Sequence, residues 1–151
     1  MNLKTLVGSG DRIALFAVPF ILAGVILAVA SPSVVDVGGP PTWLRVLSVA
    51  VLIPGLTIWI WSVVLILRNV PRGRLITGGP YAWVRHPLYT SVALLVLPWV
   101  GFLLDTWLGV MLGAALYVGA RMFATDEDDA LARTFGQAWR DYDRNVKLRW
   151  L

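Results

Sequence analysis

Four long apolar blocks without a charged residue constrain this chain more than any other feature. The blocks are Ile13–Ala30, Val46–Leu67, Leu88–Leu104 and Trp107–Ala120. A helix needs about 20 apolar residues to cross a bilayer, and roughly 17 can suffice. The 151-residue chain is 58% hydrophobic and only 15% charged, whereas soluble domains are about one-quarter charged. The sequence therefore predicts an all-α polytopic membrane protein, with a single membrane domain over residues 1–151.

The last two blocks are short, and only Asp105–Thr106 separates them. We interpret Leu88 to Phe123 as one helical hairpin, which gives about four transmembrane helices. Pro19, Pro54 and Pro98 lie inside blocks and are expected to kink their helices, which neighbouring helices tolerate in a bilayer. No small-residue cleavage pattern follows the first block, so we interpret it as a span rather than a signal peptide.

Positive charge is distributed very unevenly about the blocks. Twelve of the thirteen Lys and Arg residues fall on one side, and only Arg45 falls on the other. The positive-inside rule makes the cation-rich side cytoplasmic. We therefore predict a multi-pass protein of the cell membrane with both termini in the cytoplasm. The net charge of +4 then reflects topology and attraction to membrane lipids, and requires no nucleic-acid partner.

The groups with catalytic potential lie on the predicted cytoplasmic side. The segment GGPYAWVRHPLYTS, at positions 78–91, contains the only histidine, His86, where the third block begins. A channel or transporter would place ionisable groups at mid-membrane, and the four blocks have no charged residue, so an ion relay is disfavoured. The chain has no cysteine, which excludes disulfides and thiolate metal sites, and we expect no metal.

The C-terminal segment ATDEDDALARTFGQAWRDYDRNV predicts an amphipathic helix at the membrane interface. Thr125 is a candidate N-cap, and the acids that follow it would complement the helix dipole in the first turn. For Asp128 and Asp129 this structural role is as well supported as a functional one. Five apolar side chains recur at three- and four-residue intervals and define one helix face: Leu131, Phe135, Trp139, Tyr142 and Val146.

Three motifs follow one another in the second half of the chain. They are Gly79-Pro80-Tyr81, then Arg85-His86-Pro87-Leu88-Tyr89, and some forty residues later Glu127-Asp128 with Leu131, Phe135-Gly136, Trp139 and Tyr142. In order and spacing, this set resembles the isoprenylcysteine carboxyl methyltransferase and phospholipid methyltransferase superfamily. Those integral-membrane enzymes use S-adenosylmethionine. The resemblance extends from Gly73 to Val146, about half of the chain.

The resemblance implies an S-adenosylmethionine site and assigns residues to it. Arg121 matches a basic residue near the reacting centre, and Arg85 is the second candidate catalytic residue. Residues 69–151 would form the methyltransferase-like core, and residues 1–68 would form two scaffold spans. The implied cofactor-binding residues are Gly73, Arg74, Leu75, Ile76, Tyr81, His86, Pro87, Leu88, Tyr89 and Glu127.

The chemistry of these side chains suits the cofactor. S-adenosylmethionine carries a sulfonium, an ammonium, a carboxylate and a flat adenine, which call for an acid, donors and aromatic faces. Glu127 supplies the acid, His86 or Arg85 the donor, and Tyr81 and Tyr89 the faces. Methyl transfer needs no covalent nucleophile, so catalysis would rest largely on positioning. The expected function is methyl transfer to a lipophilic or membrane-delivered acceptor.

Several positions depart from the family pattern. Asp128 replaces the second acid of the pair, Trp139 replaces a tyrosine, and residues 146–148 replace a Val-Pro-Arg ending. Phe123 stands where the eukaryotic prenylcysteine enzymes carry an arginine. These departures disfavour a prenylcysteine carboxylate as acceptor. A different carboxylate, an amine head group, a thiol and a small hydrophobic acceptor all remain open.

Other roles for the same residues also remain open. His86 could anchor at the interface, Arg85 could extend to lipid head groups, and Arg121 could complement a helix dipole. Two other functions fit the same composition: a non-catalytic membrane scaffold of this fold, and a sterol-reductase-like membrane enzyme. Binding of S-adenosylmethionine rather than NADPH would distinguish the methyltransferase from both.

Reporter fusions test the predicted orientation. A reporter that is active only in the cytoplasm should be active after Leu151 and inactive when inserted within residues 31–42, because the cation-rich side is expected to stay inside. The opposite pattern would place the motif residues in a compartment that lacks the cofactor.

Overall fold

The computed structural model describes residues 8–148, and all regular structure in that range is helical. Six helices follow one another: α1 (Gly8–Ala30), α2 (Pro32–Val35), α3 (Thr42–Asn69), α4 (Pro87–Leu103), α5 (Leu108–Phe135) and α6 (Gln137–Asn145). Short 3₁₀ turns occupy Val70–Arg72 and Gly79–Ala82. The predicted all-α class is confirmed over these residues. Lys4 and Arg149, which were counted in the charge argument, lie outside the described range.

Three of the helices are long and apolar enough to cross a membrane. They cover Gly10–Ala30, Thr42–Arg72 and Leu108–Phe135. The third apolar block forms the shorter helix α4, Pro87–Leu103, which falls below the length of those three. Helix length therefore supports a membrane protein with three spans, and the expected fourth span stays a prediction.

Helix α4 changes its winding next to Pro98. Residues Ser91–Val96 form a π-helical segment between two α-helical pieces. Pro98 has no N–H, so it cannot donate to the carbonyl of Leu94, four residues earlier. The indole Nε1 of Trp99 donates to that carbonyl instead, at 3.2 Å. The expected irregularity at Pro98 is thus present, whereas α1 and α3 run through their prolines as continuous helices.

Helices α4 and α5 form the predicted hairpin. Their backbones approach so closely that a Cβ on Gly109 would collide with the Leu97 carbonyl oxygen, and it would lie 2.7 Å from the Cα of Gly101. The turn between them contacts the loop between α2 and α3, where the Gly39 N–H donates to the Asp105 carboxylate at 3.0 Å. The two glycines, Gly101 and Gly109, therefore set the distance between α4 and α5 in the hairpin.

Helix α1 packs against α5 on the other side. A Cβ on Gly119 would lie 2.8 Å from the ring of Phe16, and that ring also meets Phe123 edge-on at 6.0 Å. At the polar end, Arg12 and Asp126 form an exposed ion pair at 2.5 Å. Phe123 therefore faces α1, where it contributes to helix packing.

The expected helix start at Thr125 is wrong. Helix α5 continues without interruption from Leu108 to Phe135, so Thr125 and the acids after it are interior helix residues. No proline or glycine interrupts residues 120–135, and the backbone N–H groups there already have intrahelical partners. The break comes at Gly136, whose φ of 53° and ψ of −115° favour glycine. A separate helix, α6, follows that break.

The apolar side chains assigned to one C-terminal face do pack together, although on two helices. Trp139, Tyr142 and Val146 form a buried cluster, with Leu131 and Phe135 from α5 against it. Leu75 from the loop before α4 joins the same cluster. The bend at Gly136 thus folds α6 back onto α5 and the loop.

Helix spacing in the hairpin can be tested at Gly109. Replacement by Ala should lower the free energy of unfolding by about 1–3 kcal/mol, because the added methyl group must displace the backbone of α4. Thermal unfolding of the detergent-solubilised protein measures this change. Gly78→Ala is the matched control, since a Cβ there meets no atom within 4 Å and its φ of −107° suits any residue. Equal melting temperatures for the two variants would contradict the close approach.

Candidate active site

The loop between α3 and α4 carries most of the motif residues. It leaves α3 through the 3₁₀ turn Val70–Arg72, which Gly73 ends with a φ of 62°. The backbone N–H of Arg74 then donates to the Asn69 carbonyl at 3.1 Å. After Gly79–Ala82, the chain enters α4 at Pro87, which is buried as the first residue of that helix. The segment from Arg74 to His86 is therefore an ordered connection between α3 and α4.

The C-terminal residues hold this loop in place. The Tyr142 hydroxyl donates to the Tyr81 carbonyl at 2.9 Å, and the Leu148 N–H donates to the Trp83 carbonyl at 2.9 Å. The Lys147 ammonium lies 3.6 Å from the centre of the Trp83 ring, a cation–π contact. Three C-terminal residues, here called the strap, therefore hold the loop: Tyr142, Lys147 and Leu148.

A first cavity of about 270 Å³ opens between the loop, α3, α5 and α6. Its walls are mostly apolar, and Glu127 from α5 is its acidic lining residue. Nine residues that the sequence assigned to a site line it: Arg74, Leu75, Ile76, Tyr81, Arg85, His86, Leu88, Tyr89 and Glu127. Residues from three separate segments of the chain therefore meet at one cavity.

A cluster of charged side chains lies beside this cavity. One guanidinium nitrogen of Arg85 is 3.1 Å from Asp128 Oδ2 and 3.1 Å from Asp143 Oδ1. His86 Nε2 lies 3.2 Å from Asp128 Oδ1, although neither atom has an aligned hydrogen bond. All four side chains are at least two-thirds buried. The cluster joins the loop, α5 and α6.

A second cavity, of about 360 Å³, lies on the other side of Arg85 and His86. It runs between Thr90 of α4 and one face of α5 that includes Arg121. Arg85 and His86 line both cavities and so form the wall that separates them. Asp128 and Asp129 lie at the polar end of the second cavity. The two predicted catalytic arginines are therefore in different positions: Arg85 on the shared wall, and Arg121 in the second cavity alone.

Comparison with protein families matches residues 45–133 to the model of the isoprenylcysteine carboxyl methyltransferase (ICMT) family. That range is more than half of the chain. It contains the α5 residues that line the second cavity, and Glu127 and Leu131 of the first. This chain belongs to the ICMT family. Comparisons with curated proteins and with solved structures gave no match.

Family membership and the apolar helices support a membrane methyltransferase. The family match ends at residue 133. It therefore does not include Trp139, which lines the first cavity, or Tyr142, which belongs to the strap. Among residues 8–148, no group of three or more His, Cys, Asp or Glu side chains could hold a metal ion.

Three of the sequence-assigned residues do not line the first cavity. Gly73 ends a turn beside it, Pro87 is buried under the start of α4, and Arg121 lines the second cavity. The expected dipole role of Asp128 is also wrong, because this residue is interior to α5 and pairs with Arg85. Its shorter side chain, compared with the Glu of the family pattern, already reaches Arg85 and His86.

Sequence reasoning missed one wall of the first cavity. Val63, Ile66 and Leu67 from the end of α3 line it, as does Val70 in the turn that follows. The α3 residues recur at three- and four-residue intervals, but in an apolar span this spacing does not stand out from the neighbouring residues. The second span, expected to be scaffold, therefore contributes to the cavity.

Two tyrosines near the first cavity, Tyr81 and Tyr142, are held in their neutral form. Burial raises the pKa of the Tyr81 hydroxyl above its ordinary value, and the nearby Glu127 carboxylate raises it further. Burial likewise raises the pKa of Tyr142, with an added contribution from Asp128. Both phenols therefore keep their protons at neutral pH, as the hydrogen bond from Tyr142 to Tyr81 requires.

The charged cluster can be tested by removing one carboxylate. Asp128→Asn should lower the free energy of unfolding by about 1–2 kcal/mol, because Arg85 would lose a partly buried carboxylate partner. Asp129→Asn changes the next residue, which is exposed, and should leave stability unchanged. Thermal unfolding in detergent compares the two variants. Similar small losses in both would show that the cluster contributes little to the fold.

Proposed function

We propose that the chain is an S-adenosylmethionine-dependent methyltransferase that binds its cofactor in the first cavity. One observation carries the proposal: the Glu127 carboxylate shares an apolar cavity of about 270 Å³ with aromatic side chains and two arginines. That volume lies just below the usual range of small-molecule pockets, about 300–1,000 Å³. A cavity that is mostly apolar and has a few charged groups is typical of a site for a flat, charged cofactor.

The lining fits each part of the cofactor. Glu127 suits the positively charged amino acid end, and Arg74 or Arg85 suits the carboxylate of that end. Tyr81, Tyr89 and Trp139 provide aromatic faces for the adenine. Burial and the nearby Glu127 carboxylate raise the pKa of Tyr81, so this side chain offers the adenine an uncharged face and adds no second anion to the cavity.

The cofactor supplies an electrophilic methyl group, and the chain supplies binding, orientation and exclusion of water. The shared wall of Arg85 and His86 places the first cavity next to the second, where an acceptor can approach. Holding two reactants in line can contribute about 7–11 kcal/mol to catalysis. Helix α6 and the strap cover the loop, and Trp139 is buried at the cavity wall, so bulk water is excluded from that side.

The acceptor is proposed to be lipophilic, because the second cavity continues between α4 and the apolar half of α5. The charged cofactor would come from the aqueous side that carries the loop and α6. On the proposed topology that side is the cytoplasmic face of the cell membrane.

Cofactor binding is the direct test. Glu127→Gln keeps the shape but removes the charge, so it should weaken binding of S-adenosylmethionine by about 1–3 kcal/mol. Isothermal titration in detergent measures the affinity. Asp129→Asn is the control, because it removes an equal charge two residues away on α5 and that residue does not line the first cavity.

The competing functions give different results in the same titration. Binding of NADPH in place of S-adenosylmethionine would favour a reductase. A wild-type protein that binds neither cofactor would favour a non-catalytic scaffold. Equal losses in the two variants would show that Glu127 acts through general electrostatics and makes no specific contact with the cofactor.

A further inference from the structure

A single glycine joins α6 to α5. Gly136 has a φ of 53° and a ψ of −115°, a conformation that glycine adopts readily and that strains other residues. Among the described residues, none would come within 4 Å of a Cβ added at Gly136. Residues at helix ends that can absorb a large change in φ and ψ are typical hinges. Gly136 therefore allows α6 to turn as a unit relative to α5.

Beyond this hinge, several polar contacts of α6 and the strap meet one short segment of the loop, residues 81–85. The contacting pairs are Tyr142 with the Tyr81 carbonyl, Asp143 with Arg85, and Lys147 and Leu148 with Trp83. Each contact is weak by itself, since Trp83 is 58% exposed and an exposed cation–π contact adds little to stability. Together these contacts form a latch, and each of its members can be released.

The apolar side chains beneath α6 continue into the first cavity. Trp139 comes from α6 itself and is 7% exposed. Four side chains belong both to the cluster beneath α6 and to the lining of the first cavity: Leu75, Leu131, Phe135 and Trp139. Rotation of α6 away from α5 would therefore open the first cavity along this side.

The other walls of the first cavity are held by close helix packing. A Cβ on Gly55 of α3 would lie 2.7 Å from the Cβ of Leu95 in α4, and Gly109 of α5 meets the same helix as closely. The loop is joined to α3 at one end and to α4 at the other. With α6 in place the cavity measures about 270 Å³, just below the usual range for a small-molecule pocket. Helix α6 is therefore the wall that can move to admit a ligand.

We propose that α6 and the strap form a lid, which opens about Gly136 to admit a ligand to the first cavity and closes onto residues 81–85. That this ligand is S-adenosylmethionine rests on the proposed function. Tyr81 and Arg85 belong both to the latch and to the cavity lining, so a ligand bound between them and Trp139 favours the closed lid. Closure also brings Asp143 to Arg85, which completes the wall between the two cavities.

Thiol labelling without any ligand tests the lid on the full chain. The chain has no cysteine, so Val146→Cys places a single thiol in the apolar cluster under α6, where Val146 is 5% exposed. Val35→Cys is the matched control, because Val35 is 7% exposed and belongs to α2. The rate of maleimide labelling in detergent measures how often each buried position opens.

Two variants should open the lid and leave the control position unchanged. Lys147→Gln removes the cation–π contact and should raise the labelling rate of Val146→Cys about threefold. Gly136→Ala strains the closed hinge and should raise that rate about tenfold. No acceleration at Val146→Cys, or an equal acceleration at Val35→Cys, would overturn the lid.

A disulfide across the latch tests whether the lid controls entry. Val84 and Leu148 are partners in an isolated parallel bridge, so cysteines at both positions are close enough to be joined. With the disulfide formed, S-adenosylmethionine should associate at least about tenfold more slowly than after reduction, because the closed lid blocks the cavity. Stopped-flow measurement on the detergent-solubilised protein gives both rates, and Leu148→Cys alone is the control. Equal rates for the oxidised and reduced pair would overturn the lid as the entry route.

The cofactor should in turn hold the lid closed. At about ten times its Kd, S-adenosylmethionine should slow the labelling of Val146→Cys about tenfold, because it binds the closed state. Failure of the proposed function has a different result. A protein that binds no S-adenosylmethionine, but whose Val146→Cys labelling still responds to Lys147→Gln and Gly136→Ala, keeps the lid and loses the cofactor assignment.

Discussion

The contact of Arg85 with Asp128 is the interaction on which the proposed site depends. It joins the loop before α4 to α5 at 3.1 Å, and through Asp143 it extends to α6. Such pairs are costly to desolvate, so a partly buried one contributes less to stability than to position. Here the position matters because Arg85 and His86 form the wall between two cavities. Separation of the loop from α5 would merge those cavities, and the proposed function needs them to stay distinct.

Helix α5 contributes to both cavities because it does not stop at the end of its apolar half. One continuous helix carries Phe123 toward α1, Glu127 to the first cavity, and Arg121 with Asp129 to the second. An α-helix has 3.6 residues per turn, so residues within one turn point in different directions and can line different cavities. The continuous helix connects these groups to the packed half of α5, where Gly109 touches α4, and so fixes how far along the helix each group lies from that contact.

Much of this arrangement could be predicted from the sequence, and the remainder has identifiable causes. Uncharged blocks predict helices, and the Asp105–Thr106 link predicts a hairpin, because these signals are local. The order and spacing of the motifs identified nine residues that line the first cavity. The helix start at Thr125 was wrong because a good N-cap residue is only a preference, and an uninterrupted helix overrides it. The wall from α3 could not be recognised, since Val63 and Ile66 resemble every other apolar residue in a span.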